Sequence, residues 1–430
     1  MRFTNLINPP KLEEVFTPGG QPSVTYVDRA HLGLEAALKK AVRQRSIIVS
    51  LTGATKSGKT VLCRNVMEEY EFVWIDGGAI KAEPDIWERI CSELNIPAEV
   101  HEAEGRQTGG GIGAGVEAEA NAVVAKKKFT FTISGSRLKT FDQTRTYRLN
   151  TMHSALEHML DNGIALVLDD FHYIDEAVRA SLIKTLKGAV FRGLKVILLS
   201  TPHRAFEAIK AEAEITGRFK HVTVPDWSKA DLRLIATTGF DALNVNCPAS
   251  VINRFCSEAE GSPLLMQQFC WNLCYDSEIS EASITTTNIP SNFDPTSIFA
   301  EVAADAGLPI YEKLKKGPQT RTERILRPLV GGGSADIYQA ILLAIASTGP
   351  KERLSYDQIR GSLNNVLADK VPQKIEVSNA LNHLAAIDRD ENSARRAIDW
   401  NAEDLELVIV DPFLRFYLRW EVAKKDREQA

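Results

Sequence analysis

The segment SIIVSLT, Ser46 to Thr52, is apolar, β-branched and ends at Gly53, the pattern of a strand buried on both faces. Strand-sized apolar runs recur at Phe72 to Ile75, Ile164 to Leu168, Leu194 to Leu199 and His221 to Val224. Helical spacing fills most of the intervals: Leu34, Leu38, Ala41 and Val42 recur between His31 and Gln44, and further helices are predicted around Asp85 to Leu94 and Thr151 to Leu160. Strand alternating with helix in this way predicts an α/β domain with a mostly parallel sheet. One Gly/Ala-rich stretch, Thr108 to Ser136, interrupts the rhythm. Its alternating Phe129 to Ile133 predicts a hairpin with Lys126, Lys127 and Lys128 at its tip or edge, either a solvated edge or a surface that touches a protein or nucleic acid.

After Pro225 the pattern turns helical from Ala230 to Cys274 and then loosens between Ser283 and Pro295. A last unit reads as helices at Ile337 to Ile345, Tyr356 to Val366 and Ile375 to Ile387, followed by strands at Arg396 to Trp400 and Leu405 to Val410. Three helices and a hairpin predict a winged helix. At the other end, Pro9, Pro10, Pro18, Gly19, Gly20 and Pro22 predict an extended arm over Met1 to Val24. The resulting organisation is an arm (1–24), a core (25–227) with an insertion hairpin (about 108–136), a helical lid (228–295), a linker (296–334) and a winged-helix domain (335–430).

Composition narrows the functional classes. A chain of 430 residues with 44% hydrophobic content can build two to three cores. Its 51 Lys plus Arg against 56 Asp plus Glu give a net charge of −5, which excludes a general nucleic-acid coat. No run approaches the roughly 18 apolar residues of a membrane span, and MRFTNLINPPKLEEVF carries charges where a signal peptide would be apolar. The expectation is a cytoplasmic protein with no membrane contact. The six cysteines show no paired CxxC spacing and no disulfide framework, and so read as thiols; Cys270 and Cys274 fall four apart on one predicted helix.

The chemistry concentrates after the first strand. Gly53-Ala54-Thr55-Lys56-Ser57-Gly58-Lys59-Thr60 matches G-x-x-x-x-G-K-S/T between a strand and a helix, the P-loop that cradles phosphates with backbone N–H groups. Lys59 is expected on the β- and γ-phosphates and the Thr60 hydroxyl on Mg²⁺. The run Ile164 to Leu168 ends in Asp169-Asp170, a Walker B pattern in which Asp169 serves the metal and Asp170 orients or deprotonates the attacking water. Ser200 or Thr201, at the end of another strand, is a candidate contact to the γ-phosphate or that water. The nucleotide-binding set then comprises Gly53 to Val61 and Thr201.

Together these elements resemble the P-loop ATPases of the AAA+ and STAND groups, particularly origin-recognition-like and archaeal-type ATPases, over about residues 25 to 275 and most of the C-terminal unit. The resemblance implies an α/β P-loop NTPase parallel-sheet core with a helical lid and a C-terminal winged-helix domain, binding ATP and Mg²⁺. It adds Tyr26 and Val27 over the adenine, in Tyr26-Val27-Asp28-Arg29 with Asp28 where the family usually has Gly. It also adds Pro263, in Gly261-Ser262-Pro263-Leu264-Leu265, and Arg218, in Thr216-Gly217-Arg218-Phe219, as an arginine reaching a neighbouring subunit. Gln267 and Gln268 stand where many AAA+ proteins carry a second-sensor arginine. Asp411-Pro412-Phe413-Leu414-Arg415-Phe416 is similar to the Asp-Pro-x-x-Arg-Phe ending of archaeal-type ATPases.

The catalytic residues implied are Lys59, Asp170 and Arg218, in an ATP-hydrolysing switch that forms a homo-oligomer. Its use is open between a signalling ATPase with an effector on another chain, as in bacterial conflict systems, and a DNA-associated loader or regulator. From 331 to 430, 13 Lys plus Arg against 16 Asp plus Glu leave −3, which favours a protein-regulatory winged helix over a DNA reader. Only Arg389, Arg395 and Arg396 offer that unit a phosphate-binding cluster.

Overall fold

The computed structural model describes residues 9–96, 99–104, 143–148, 151–201, 218–318, 324–387 and 397–422. Strands β1 (Ile48–Gly53), β2 (Phe72–Asp76), β3 (Glu99–Glu104), β4 (Gln143–Arg148), β5 (Ala165–Asp169), β6 (Val196–Ser200) and β7 (Phe219–Val224) precede the helical half of the chain. Five of them form one sheet in the order β2-β5-β6-β1-β7, with every pairing parallel. Alternate residues serve opposite faces, as a pleat requires. Ile48, Leu166, Leu168, Val196 and Leu198 meet helices Glu83–Glu93, Thr151–Asn162 and Glu176–Phe191 on one side. Val49, Leu51, Val167, Ile197 and Leu199 meet helices Leu34–Arg43 and Lys59–Met67 on the other. Burial on both faces explains why these strands read as continuous apolar runs.

β3 and β4 pair antiparallel with each other, Glu99 opposite Arg148 and Glu102 opposite Arg145. Apolar patterning does not find this ladder, because neither EVHEAE nor QTRTYR contains a run of apolar residues. The hairpin expected from Phe129 to Ile133, and Lys126 to Lys128 with it, lie outside the described residues.

Two expectations need correction. The arm is not simply extended: Leu12–Val15 is a short helix, and Leu12, Val15 and Phe16 are buried against the lid. The breakers flank these residues, whose i, i+3, i+4 spacing presents one apolar face. Phe16 meets Phe240 edge-on, centroids 5.4 Å apart. It fits only because position 239 lacks a side chain, since a Cβ on Gly239 would lie 2.2 Å from the Phe16 ring. Gly239→Ala is therefore expected to destabilise the chain by about 1–3 kcal/mol, despite alanine's better helix propensity, as read from the denaturant midpoint.

The second correction concerns 296–334. Its first half is helical, Thr296–Val302 running through a π-turn at Ala303–Gly307 into Leu308–Lys316, with Ile298, Phe299, Val302 and Leu314 fully or nearly fully buried. These residues join the lid helices Lys229–Ala242, Ala249–Glu258 and Pro263–Asp276 and the C-terminal unit in one continuous core. That unit has helices Ile337–Ser347, Tyr356–Val366 and Lys374–Ile387 beside a three-stranded antiparallel sheet of Arg353–Ser355, Glu406–Ile409 and Ile398–Asn401. This is a winged-helix arrangement. The expected strand pair is present, and the additional strand Arg353–Ser355 has a single apolar residue, Leu354, too short a pattern to read.

Among the described residues no helix is long and apolar enough to cross a membrane. Cys270 and Cys274 are buried free thiols pushed up by burial, and no cluster with metal-ligand character occurs among the described residues.

Candidate nucleotide-binding site

The parallel sheet brings the carboxyl ends of β1, β5 and β6 together, the edge at which open α/β sheets hold ligands. At the end of β1 the chain turns through Ala54 to Gly58 and enters the helix Lys59–Met67. Gly58 makes that entry at φ 90°, which a side chain would resist. Lys59, only 7% exposed, curls back so that its Nζ donates to the Gly53 carbonyl at 2.8 Å and the Ala54 carbonyl at 2.7 Å. Burial lowers its pKa from 10.5 to about 8, and the nearby Asp170 and Asp169 oppose that shift.

The Thr60 hydroxyl donates to Asp169 Oδ2 at 2.9 Å, joining the helix start to the end of β5. Burial raises the pKa of Asp169, while hydrogen bonds from Thr60 and the Asp170 amide lower it. Two hard oxygen donors thus converge beside a buried lysine, a donor set that fits Mg²⁺. Thr60 and Asp169 would hold a bound Mg²⁺, which would supply neutralisation of phosphate charge there.

A cavity of about 760 Å³ opens over these groups. Tyr26, Val27, Thr55 to Val61, Asp169, Asp170 and Pro263 all line it, so most of the expected site residues meet in one place. The Tyr26 hydroxyl donates to Glu35 at 2.7 Å, and burial is the main cause of its raised pKa. Gly53 and Ala54 contribute the carbonyls that hold Lys59. Lys56 is a departure, because its ammonium turns to the C-terminal unit, 2.6 Å from Asp411 Oδ2. Thr201 is buried at the end of β6 with its hydroxyl unpartnered, but it is not among the lining residues. Arg218 stands at the opposite, amino-terminal edge of the sheet, where its carbonyl accepts from the Ile48 amide and its guanidinium lies 5.6 Å from the Phe191 ring. It is remote from the P-loop of its own chain. Arg389, Arg395 and Arg396 lie outside the described residues.

Three residues have contacts at the site that residue patterns do not reveal. Gln267, on the lid helix and 6% exposed, accepts from the Thr17 amide and donates to the Thr25 hydroxyl, which donates in turn to the Val15 carbonyl. At this position a neutral amide fastens the lid to the arm. Trp227, just past β7, donates from its indole to the Ser57 carbonyl at 2.8 Å and thereby holds the P-loop peptide. Arg29 lies 4.8 Å from that indole, donates to the Pro225 and Asp226 carbonyls and faces Asp231 at 3.7 Å. The signal available in the sequence was a tryptophan at the junction of core and lid.

No protein-family model and no curated protein sequence matches this chain. Among solved structures, the Walker-type ATPase PABY2304 of Pyrococcus abyssi superposes with a TM-score of 0.51 at 14% identity, covering 92% of this chain and 99% of that one. The ORC2 protein of Aeropyrum pernix aligns at 12% identity over 96% and 97% of the two chains, with a TM-score of 0.47. Cdc6p of Pyrobaculum aerophilum aligns at 13% identity over 97% and 98%, with a TM-score of 0.42. The sheet order, the loop after β1, the acidic end of β5 and the PABY2304 superposition together give this chain the fold that this Walker-type ATPase also has, a parallel-sheet P-loop core that continues into a helical and winged-helix C-terminal half.

Proposed function

We infer that the chain is an ATP-binding and ATP-hydrolysing molecular switch. One observation carries this reading: a single cavity is lined by the P-loop, by Asp169 and Asp170, and by Pro263 and Gln267 of the lid. A nucleotide held there touches core and lid together, so its presence and the state of its phosphates bias how the two close. The loop amides and Lys59 bind phosphate, Thr60 and Asp169 serve the metal, and Asp170 orients the attacking water. Asp170→Asn is expected to retain ATP binding and to lower turnover about a hundredfold, as removal of a positioned base does. Binding by calorimetry and phosphate release measured in parallel test this; equal loss of both would make Asp170 a structural residue.

Assembly into a homo-oligomer is the second part of this reading, and the distance of Arg218 from its own P-loop supports it. From the sheet edge away from its own P-loop, Arg218 would serve the site of a second copy, where a guanidinium stabilises developing phosphate charge. Light scattering with a non-hydrolysable ATP analogue is expected to show a larger species for the native chain and not for Arg218→Ala. An analogue-independent size for the native chain overturns that role. The −3 balance of residues 331–430 supports a regulatory use of the winged helix rather than the reading of a DNA groove.

A further inference from the structure

We propose that the C-terminal unit regulates the nucleotide site through an ion pair, with Asp411 competing against the phosphates of ATP for Lys56. The inference rests on the reading of the cavity as an ATP site. Lys56 lies inside the P-loop, yet its ammonium is 2.6 Å from Asp411 Oδ2 and 4.4 Å from the centre of the Phe413 ring. Both partners are largely withdrawn from water, at 21% and 13% exposure, so solvent screens the pair weakly. The carboxylate is also fixed in place. Its other oxygen, Oδ1, accepts from the amides of Phe413 and Leu414 and caps the helix Pro412–Tyr417.

A second carboxylate stands close by. Glu352 lines a smaller cavity of about 350 Å³ behind the P-loop, shared with Ala54, Thr55 and Ser57, and its charge reaches Lys59. Arg415 of the same unit lies 3.9 Å from Glu352 and shares that cavity, so of the two carboxylates it is Asp411 that the docked C-terminal unit sets against the loop's own cation, beside a loop whose ligand is a polyanion. Arg419 fastens this arrangement to the lid, 2.6 Å from Glu258 and 2.8 Å from Glu260, just before the turn that presents Pro263 to the nucleotide cavity. When ATP enters, Lys56 cannot neutralise both the phosphates and Asp411. Either the pair opens and the helix beginning at Pro412 loosens, or ATP binds less tightly; by linkage these are two sides of one coupling.

The carboxylate's two oxygens allow the charge to be removed alone. Asp411→Asn keeps a good helix cap and deletes the anion. In the 430-residue chain, calorimetric titration with Mg-ATP is expected to give at least fivefold tighter binding for Asp411→Asn than for the native chain, the lower end of ordinary allosteric couplings. Hydrogen exchange of the native chain at 412–422 is expected to quicken when Mg-ATP is added, a measurement that needs no variant. Unchanged or weaker ATP binding by a folded Asp411→Asn, or slower exchange at 412–422 with ATP, overturns the proposal while leaving the ATP site intact. A native chain that binds no ATP overturns the reading of the site itself, and the coupling with it.

Discussion

Lys59→Ala is expected to abolish ATP binding: calorimetric titration with Mg-ATP should lose its signal at concentrations that saturate the native chain. Lys59 is the buried cation at the centre of the loop, bonded to the Gly53 and Ala54 carbonyls and stabilised as a cation by the charges of Asp170 and Asp169. Without it those acids would face the phosphates uncompensated. Truncating one member of a buried charged constellation costs about 2–5 kcal/mol, a loss of thirtyfold to several thousandfold in affinity. Retained binding of native strength would remove the P-loop from the proposed function.

The same residue sets a pH dependence whose sign is fixed. The lysine is protonated below about 8 in the folded chain, against 10.5 when exposed. ATP needs the cation, so affinity is expected to fall as pH rises through 8, by up to about tenfold per pH unit. Stability moves the other way. Between pH 8 and 10.5 the unfolded chain binds the extra proton, so the cost of burying the charge, present in full below pH 8, is relieved as pH rises through that window. Lys59→Ala should flatten the stability profile across that window.

Phe299→Ala is expected to cost about 3–5 kcal/mol of folding stability, the range for deleting a buried aromatic ring. Phe299 is fully buried and meets Phe269 at 4.9 Å, Trp420 at 5.0 Å, Phe255 at 5.9 Å and Phe416 at 6.1 Å between ring centroids. Its neighbours come from two lid helices and from the C-terminal helix, so its removal opens the joint between them. Chemical denaturation should show the lower midpoint, and an unchanged midpoint would mean that the cluster collapses around the gap at no cost.

Much of the site was legible because its chemistry is local in sequence. A phosphate loop needs its glycines, lysine and hydroxyl within eight consecutive positions, Gly53 to Thr60, and a strand buried on both faces must be apolar until it reaches Asp169. The order of helices and strands, and the winged unit, were readable for the same reason: each element has its own period. Phe299 marks the limit. Read alone, its segment resembles a linker, since Pro295 and the neighbouring loop break the pattern; its burial comes from partners distant in sequence, Phe255 and Phe269 on one side and Phe416 and Trp420, more than 100 positions away, on the other. Phe16 was hidden likewise, by a gap at Gly239 that no local pattern announces.

What the sequence by itself determined is therefore the sheet's strands, the P-loop, the acidic pair at the end of β5 and the succession of core, lid and winged unit. Tertiary structure alone decided where the long side chains go. Lys56 lies in the phosphate loop by sequence, and only the docked C-terminal helix gives its ammonium to Asp411, 355 positions away. Gln267 became a tie to the arm and Trp227 a clamp on the Ser57 carbonyl for the same physical reason. A motif specifies backbone conformation over a few residues, whereas a flexible side chain takes whichever partner the folded chain brings within hydrogen-bond reach.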